Sequence, residues 1–346
     1  MTGWLPLRHL LTSRLKEFFR EPEAIFWVYG FPVVLAVGLG IAFREKPPEE
    51  IRVDLAAGAP RASLQRARDA LAGPPFLVSE CGEAECRGRL RMGKTDIVVV
   101  PAEPIAYVFD AMRPESVLAR SRVDEALQRS AGRSDPLPTA DRPVTEPGSR
   151  YIDFLIPGLL GMNLMGGGLW GIGFVIVDMR VRKLLKRLVA TPMRRSDFLL
   201  ALIGSRLVFM LPEVALLLLA GVIFFQVAIQ GSLAAVMAVS LLGAVSFAGL
   251  GLLIACRAGK IETVSGLMNL VMLPMWLLSG IFFSSERFPA ALQPVIKALP
   301  LTLLNDSLRA VILEGAALPT QAGRLAGLAA WGGASFVIAL VWFRWS

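Results

Sequence analysis

Six runs of roughly twenty apolar residues dominate this chain, the length a helix needs to cross a hydrocarbon layer of about 30 Å. They are Ala24–Phe43, Asp153–Val177, Phe198–Phe225, Leu233–Cys256, Thr263–Phe283 and Ala322–Phe343. Helices in a water-soluble core rarely run so long without a polar face. Charged residues make up only 18% of the 346, below the roughly one quarter usual for soluble domains. The pattern predicts an α-helical polytopic membrane protein with six transmembrane helices. The first run does not read as a cleaved signal peptide: 23 structured-looking residues precede it, it is too long for a signal h-region, and no A-x-A-like site follows.

Orientation follows from Lys and Arg near the ends of the runs. Residues 178–197 hold seven, Arg180, Arg182, Lys183, Lys186, Arg187, Arg194 and Arg195, against Asp178 and Asp197. Arg257 and Lys260 follow the fourth run and Arg344 lies at the C-terminus, whereas Gln226–Ser232 carries no charge. These alternate if both termini are cytoplasmic. Residues 44–150 then lie outside, with 17 basic and 17 acidic side chains. The net charge of +8 therefore falls mostly on the cytoplasmic face, toward anionic lipid or a partner protein. No soluble basic domain carries it, so nucleic acid is not an expected partner.

Four regions follow from this layout. Residues 1–23 contain an amphipathic interface helix over 4–20, with Leu7, Leu10, Leu11, Leu15, Phe18 and Phe19 on one side. Residues 24–43 form the first span. Residues 44–150 hold a small α/β domain, with strand-like Ile51–Leu55, Phe76–Ser79, Ile97–Val100 and Ile105–Phe109 and helical Ala62–Ala72 and Glu115–Ser130. The Pro-rich stretch Ser134–Pro147 reads as an extended tether. Residues 151–346 supply the other five spans. Cys81 and Cys86 are able to pair in an oxidising compartment, given a turn that brings them together. Cys256 reads as a free thiol.

Between the last two runs, Ser284–Thr320 is apolar but broken by Pro289, Pro294, Pro300 and Pro319. Short helices dipping into the outer leaflet fit it. Irregular backbone at membrane depth needs protein or water around it, which makes this re-entrant region a candidate outer gate, with Pro289, Pro300, Asn305, Asp306 and Arg309 as its marked residues.

Residues Gly88–Thr95 (GRLRMGKT) satisfy the phosphate-loop pattern. A true phosphate loop follows a strand and opens a helix; here helix-like residues precede it and a strand follows, so Gly93-Lys94 reads as a turn. His9 is the only histidine, which excludes a His-based metal site or a Ser-His-Asp triad. Among intramembrane polar residues, Arg206 and Glu213 share a face of the third run. They lie about 10 Å apart along the axis at 1.5 Å per residue, too far for direct pairing in one helix. Asn163 and Asn269 need partners. These four mark a possible translocation path, with structural hydrogen bonding as the plainer explanation. Gly167 and Gly171 form a G-x-x-x-G pair, suited to packing within the chain or between two copies.

Several segments bear a likeness to a known family. Tyr151–Leu160 (YIDFLIPGLL), the basic loop, Leu188–Leu200 (LVATPMRRSDFLL) and Gly280–Arg309 (GIFFSSERFPAALQPVIKALPLTLLNDSLR) resemble, in order and spacing, segments of type-2 ABC exporter permeases. The insertion after the first span resembles the subgroup with an extracytoplasmic domain there. The resemblance implies six spans per subunit, a dimer with a second permease copy or a related permease, and a coupling helix that docks on a separate ABC ATPase. That helix would be Met179–Thr191, with Arg180, Arg182, Lys183, Lys186, Arg187 and Thr191 as docking residues. Where family members carry a Glu and a Gly-Thr-hydrophobic-Glu run, this chain has Arg182, Lys183, Lys186 and Arg187. No cofactor is expected on the chain itself, since ATP and magnesium would belong to the partner ATPase. The expected function is export of an amphipathic or lipid-like substrate across a bacterial cytoplasmic membrane, in contact with its lipids. The rival reading is a membrane receptor or scaffold with a ligand-binding external domain. A secondary transporter would show inverted repeats and midplane charges, and no convincing repeat is present.

Overall fold

A computed structural model describes residues 4–43, 50–134, 137, 148, 150–190 and 195–343. The expectations for Thr191 and Arg194, for the side chain of Leu7 and for most of the Pro-rich tether fall outside the described residues. The chain divides into a helical unit (Met1–Arg44 with Val144–Ser346) and an inserted unit (Glu45–Pro143).

In the helical unit, six helices are long and apolar enough to cross a membrane: Pro22–Ala42, Tyr151–Val181, Asp197–Phe225, Leu233–Ala255, Ile261–Leu278 and Leu318–Trp342. They match the six runs with shifted ends. The fifth stops at Leu278, short of the expected Phe283, because Gly280 turns left-handed at φ 69, a conformation that costs glycine no Cβ clash. The second and fourth spans are the most enclosed, and Leu155, Leu159, Leu164, Met165 and Leu169 form the fully buried spine of the unit. The N-terminal helix Trp4–Phe19 packs on the third span, where the Phe18 ring lies 4.3 Å from that of Phe209. Phe19, placed by periodicity on the same face, is 61% exposed.

Two spans contain π-helical turns, Phe26–Gly30 in the first and Leu169–Phe174 in the second. In the first, Pro32 lacks the N–H that an α-helix would direct to the carbonyl of Val28. A freed carbonyl in hydrocarbon needs another donor. Between the last two spans, residues 284–320 fold into 3-10 turns Ser285–Arg287 and Ala290–Leu292, helices Gln293–Ala298 and Pro300–Glu314, and a final 3-10 turn that opens the sixth span. The helix Pro300–Glu314 is buried along Leu301, Leu304, Asn305, Leu308 and Ile312.

The inserted unit is a four-stranded sheet of β1 (Ile51–Ala56), β2 (Phe76–Cys81), β3 (Ile97–Val100) and β4 (Ala106–Val108) in the order β2-β1-β3-β4. β1 runs parallel to β2 and β3, and β4 antiparallel to β3. Helices Arg61–Ala70 and Pro114–Ser130 cover one face through Ala67, Ala119, Val123 and Leu127, packed on Val53, Leu55, Ile97 and Val99. Helix Glu83–Arg91 covers the other through Cys86 and Leu90 on Val98. It precedes β3, with the Gly93 turn (φ 71) between them. This is the helix-turn-strand order expected for Gly88–Thr95, the reverse of a phosphate loop. Cys81 and Cys86 are joined by a disulfide across the start of that helix.

Candidate functional site

At three places polar side chains join the second span to other elements of the helical unit. Midway, the carbonyl of Val28, deprived of its helical donor by Pro32, accepts a hydrogen bond from Asn163 Nδ2 at 3.1 Å. One turn further, Gly167 and Gly171 line a slot that takes the arm of Arg206 from the third span: a Cβ on Gly167 would sit 1.9 Å from Arg206 Cζ. Within that slot Arg206 Nη2 and Glu213 Oε2 lie 2.7 Å apart, with side chains 5% and 0% exposed.

The expectation that Arg206 and Glu213 lie too far apart to pair is therefore wrong. Side chains on a helix lean toward its N-terminus, so Glu213 reaches back, and the Arg206 arm runs along the axis to meet it. Asn269 is not part of this group. It is exposed on the fifth span, so the four residues marked as a path are not brought together.

The second place is where the fifth span ends. Asn305 Nδ2 donates to the carbonyl of Ser279 at 3.0 Å, and its Oδ1 packs so tightly on the second span that a Cβ at Gly161 would lie 1.9 Å away. Arg309 stacks over Phe154 at 3.7 Å, donates to the Phe154 carbonyl at 3.3 and 3.4 Å, and binds the carbonyl of Gly280. Asp306 Oδ1 is 3.9 Å from Arg309 Nη1. The helix Pro300–Glu314 thereby pins the loop after the fifth span to the second. Of the marked gate residues, Pro300 is buried at the first turn of this helix, whereas Pro289 is exposed and apart.

The third place is the end of the second span. The helix runs to Val181, and Lys183 at φ 60 breaks the chain before a separate short helix, Leu184–Val189. The continuous Met179–Thr191 helix is thus corrected to this shorter element. Leu185 anchors it at 1% exposure, and Lys183, Lys186 and Arg187 stand exposed around the anchor. Arg182 is held by Asp178 at 2.9 Å. Arg180 turns inward instead: it donates to the carbonyls of Ala255 at 2.8 Å and Cys256 at 3.3 Å, binds that of Ala258, and faces the Phe343 ring. It caps the C-terminal end of the fourth span, where orphan carbonyls and the helix dipole favour a cation.

The description "ABC-2 type transporter" matches residues 119–313, more than half of the chain and the second-span side of all three of these places. The chain belongs to the ABC-2 type transporter family. Within the ABC-2 match lie the second to fifth spans, the basic helix and the Asn305–Arg309 lock; the first and sixth spans fall outside it. Among relatives, the ABC transporter G family member 20 of Dictyostelium discoideum is 28% identical over 209 residues, 59% of this chain and 28% of that protein. The chain thus spans well under a third of that relative's length. The Probable multidrug ABC transporter permease YbhS of Escherichia coli (strain K12) is 20% identical over 339 residues, 90% of each chain. No solved structure matches.

Three features of this ABC-2 chain escaped the sequence reading. The Arg206 slot was signalled by a G-x-x-x-G pair in one span and a lone Arg in another. The Val28–Asn163 bond was signalled by a proline and an amide in neighbouring spans. Arg150, which binds Asp153 at 2.8 Å and the Phe225 carbonyl at 2.8 Å, ties the start of the second span to the end of the third.

Proposed function

We propose that this chain is the membrane subunit of an ATP-driven exporter that moves an amphipathic or lipid-like substrate across a bacterial cytoplasmic membrane, with both termini cytoplasmic. It works as a dimer with a second permease, embedded in membrane lipid, and docks a separate ABC ATPase that holds ATP and magnesium. The observation that carries this reading is the short helix Leu184–Val189: anchored by Leu185, it leaves Lys183, Lys186 and Arg187 exposed. A short anchored helix whose three exposed cations have no ion-pair partner among the described residues suits an acidic groove on a partner, and its position between the second and third spans lets a push on it reach both. Thr191 would follow it. Arg180, spent on the fourth span, would stiffen the base of this element rather than touch the partner.

ATP-driven closure of the two ATPases would press these helices inward. Motion of the second span would then reach the loop after the fifth span through Asn305 and Arg309, which makes that lock the outer gate. Affinity capture of the tagged chain in mild detergent, assayed for vanadate-sensitive ATPase activity, tests the reading. The expected result is co-purifying activity that the triple change Lys183→Glu, Lys186→Glu, Arg187→Glu abolishes while the chain still folds. Absence of ATPase activity with the unaltered chain sinks the proposal.

A further inference from the structure

The inserted unit contains a cavity of about 460 Å³, within the roughly 300–1,000 Å³ typical of small-molecule sites. It opens between helices Arg61–Ala70 and Pro114–Ser130, beside the carboxyl end of β3. Its floor is apolar, made by Ala67, Ala70, Val99 and Leu127. In open α/β sheets, ligands settle outside the carboxyl ends of strands where the strand order reverses. Here the chain passes from β1 outward to β2, then back across to β3, so the order reverses between β1 and β3. The cavity lies against one of those two strands.

The rim supplies the chemistry. Arg66, Asp69 and Glu103 line it, giving two carboxylates against one guanidinium. Arg66 donates to its own helix at the Ala62 carbonyl, 3.3 Å away, rather than to either acid. Among the described residues the Asp69 carboxylate accepts only from the neutral amide of Gln65, at 3.0 Å. Among the described residues Glu103 has no hydrogen-bond or ion-pair partner. An apolar floor under an acidic rim selects a molecule with an apolar body and a positive charge.

We propose that this cavity is a binding site for small cationic amphiphiles. The site is independent of ATPase docking: a chain that captured no ATPase would still bind through it, so the two proposals fail separately.

The test uses the full-length purified chain with the cationic dye ethidium, followed by fluorescence anisotropy, and with anilinonaphthalene sulfonate as an anionic amphiphile. Glu103→Lys places a like charge at an exposed rim position and should weaken ethidium binding about fivefold, the scale of one exposed charge pair. Ala70→Trp fills the floor and should weaken it tenfold or more. Glu103→Asp should bind like the unaltered chain. Ethidium bound equally by the unaltered chain, Glu103→Lys and Ala70→Trp overturns the proposal. So does no ethidium binding at all, or tighter binding of the anionic dye. Glu103→Lys, at the surface, keeps the test valid if the tryptophan disturbs packing.

Discussion

Replacing Glu213 with Gln should destabilise the helical unit by roughly 3–5 kcal/mol, the usual cost of leaving one member of a buried ion pair uncompensated. The structure allows the opposing contributions to be weighed. At the 2.7 Å separation of Arg206 and Glu213, Coulomb attraction at an effective dielectric of 20 is about 6 kcal/mol. Desolvation costs several kcal/mol per ion, and neither side chain is more than 5% exposed. The pair as a whole is therefore near balance, while either charge alone is expensive. It follows that Arg206→Met and Glu213→Met should each be costly and that together they should recover most of the loss, because an apolar pair removes both desolvation penalties. Unfolding of the purified protein in mixed micelles titrated with SDS would give the four free energies of the cycle. If the two single losses simply add in the double variant, the two charges are not interacting and the account of the Gly167–Gly171 slot fails with them.

Three further outcomes follow from other contacts. Asn163→Leu should cost about 1–3 kcal/mol by orphaning the Val28 carbonyl, and the same change should cost much less in a Pro32→Ala background, where residue 32 regains its N–H; equal costs in both backgrounds would break the link, measured in the same SDS titration. Gly161→Ala places a Cβ 1.9 Å from Asn305 Oδ1 and should cost about 1–3 kcal/mol through overpacking, with partial relief from Asn305→Ala if the clash is the cause. In the inserted unit, burial pushes the Asp54 carboxyl up from its ordinary 3.8, against the pull of Arg89. The folded chain then holds that proton where the unfolded chain has lost it, so this group's contribution to stability falls as pH rises through the interval between the two values. Pulse proteolysis of the inserted unit across pH should show that fall, and Asp54→Asn should remove it; an unchanged slope would assign the effect elsewhere.

What the sequence made legible divides along physical lines. Burial in lipid is an average property of a whole segment, so all six spans, and the strands of the inserted unit, could be read from composition and periodicity. Their ends could not, because they hang on single backbone conformations: the left-handed turn at Gly280 shortened the fifth span, and that at Lys183 parts the short helix Leu184–Val189 from the second span. Side-chain pairing was harder still. Axial rise alone set Arg206 and Glu213 apart, yet two long side chains closed the gap. Arg180 belongs to a basic stretch whose charge count predicts exposure, but only the fold reveals the carbonyls of Ala255 and Cys256 that turn it inward from the last turn of the second span. In hydrocarbon no water stands in for a missing partner, so a buried amide, charge or proline-freed carbonyl within a span is satisfied only by what the fold packs against it. Val28 with Asn163, Gly167 with Arg206, and Gly161 with Asn305 all meet on the second span for that reason. The same span leads through the Lys183 turn into the basic helix Leu184–Val189, so a displacement there would be felt by each of these contacts before it reached the loop that Arg309 holds.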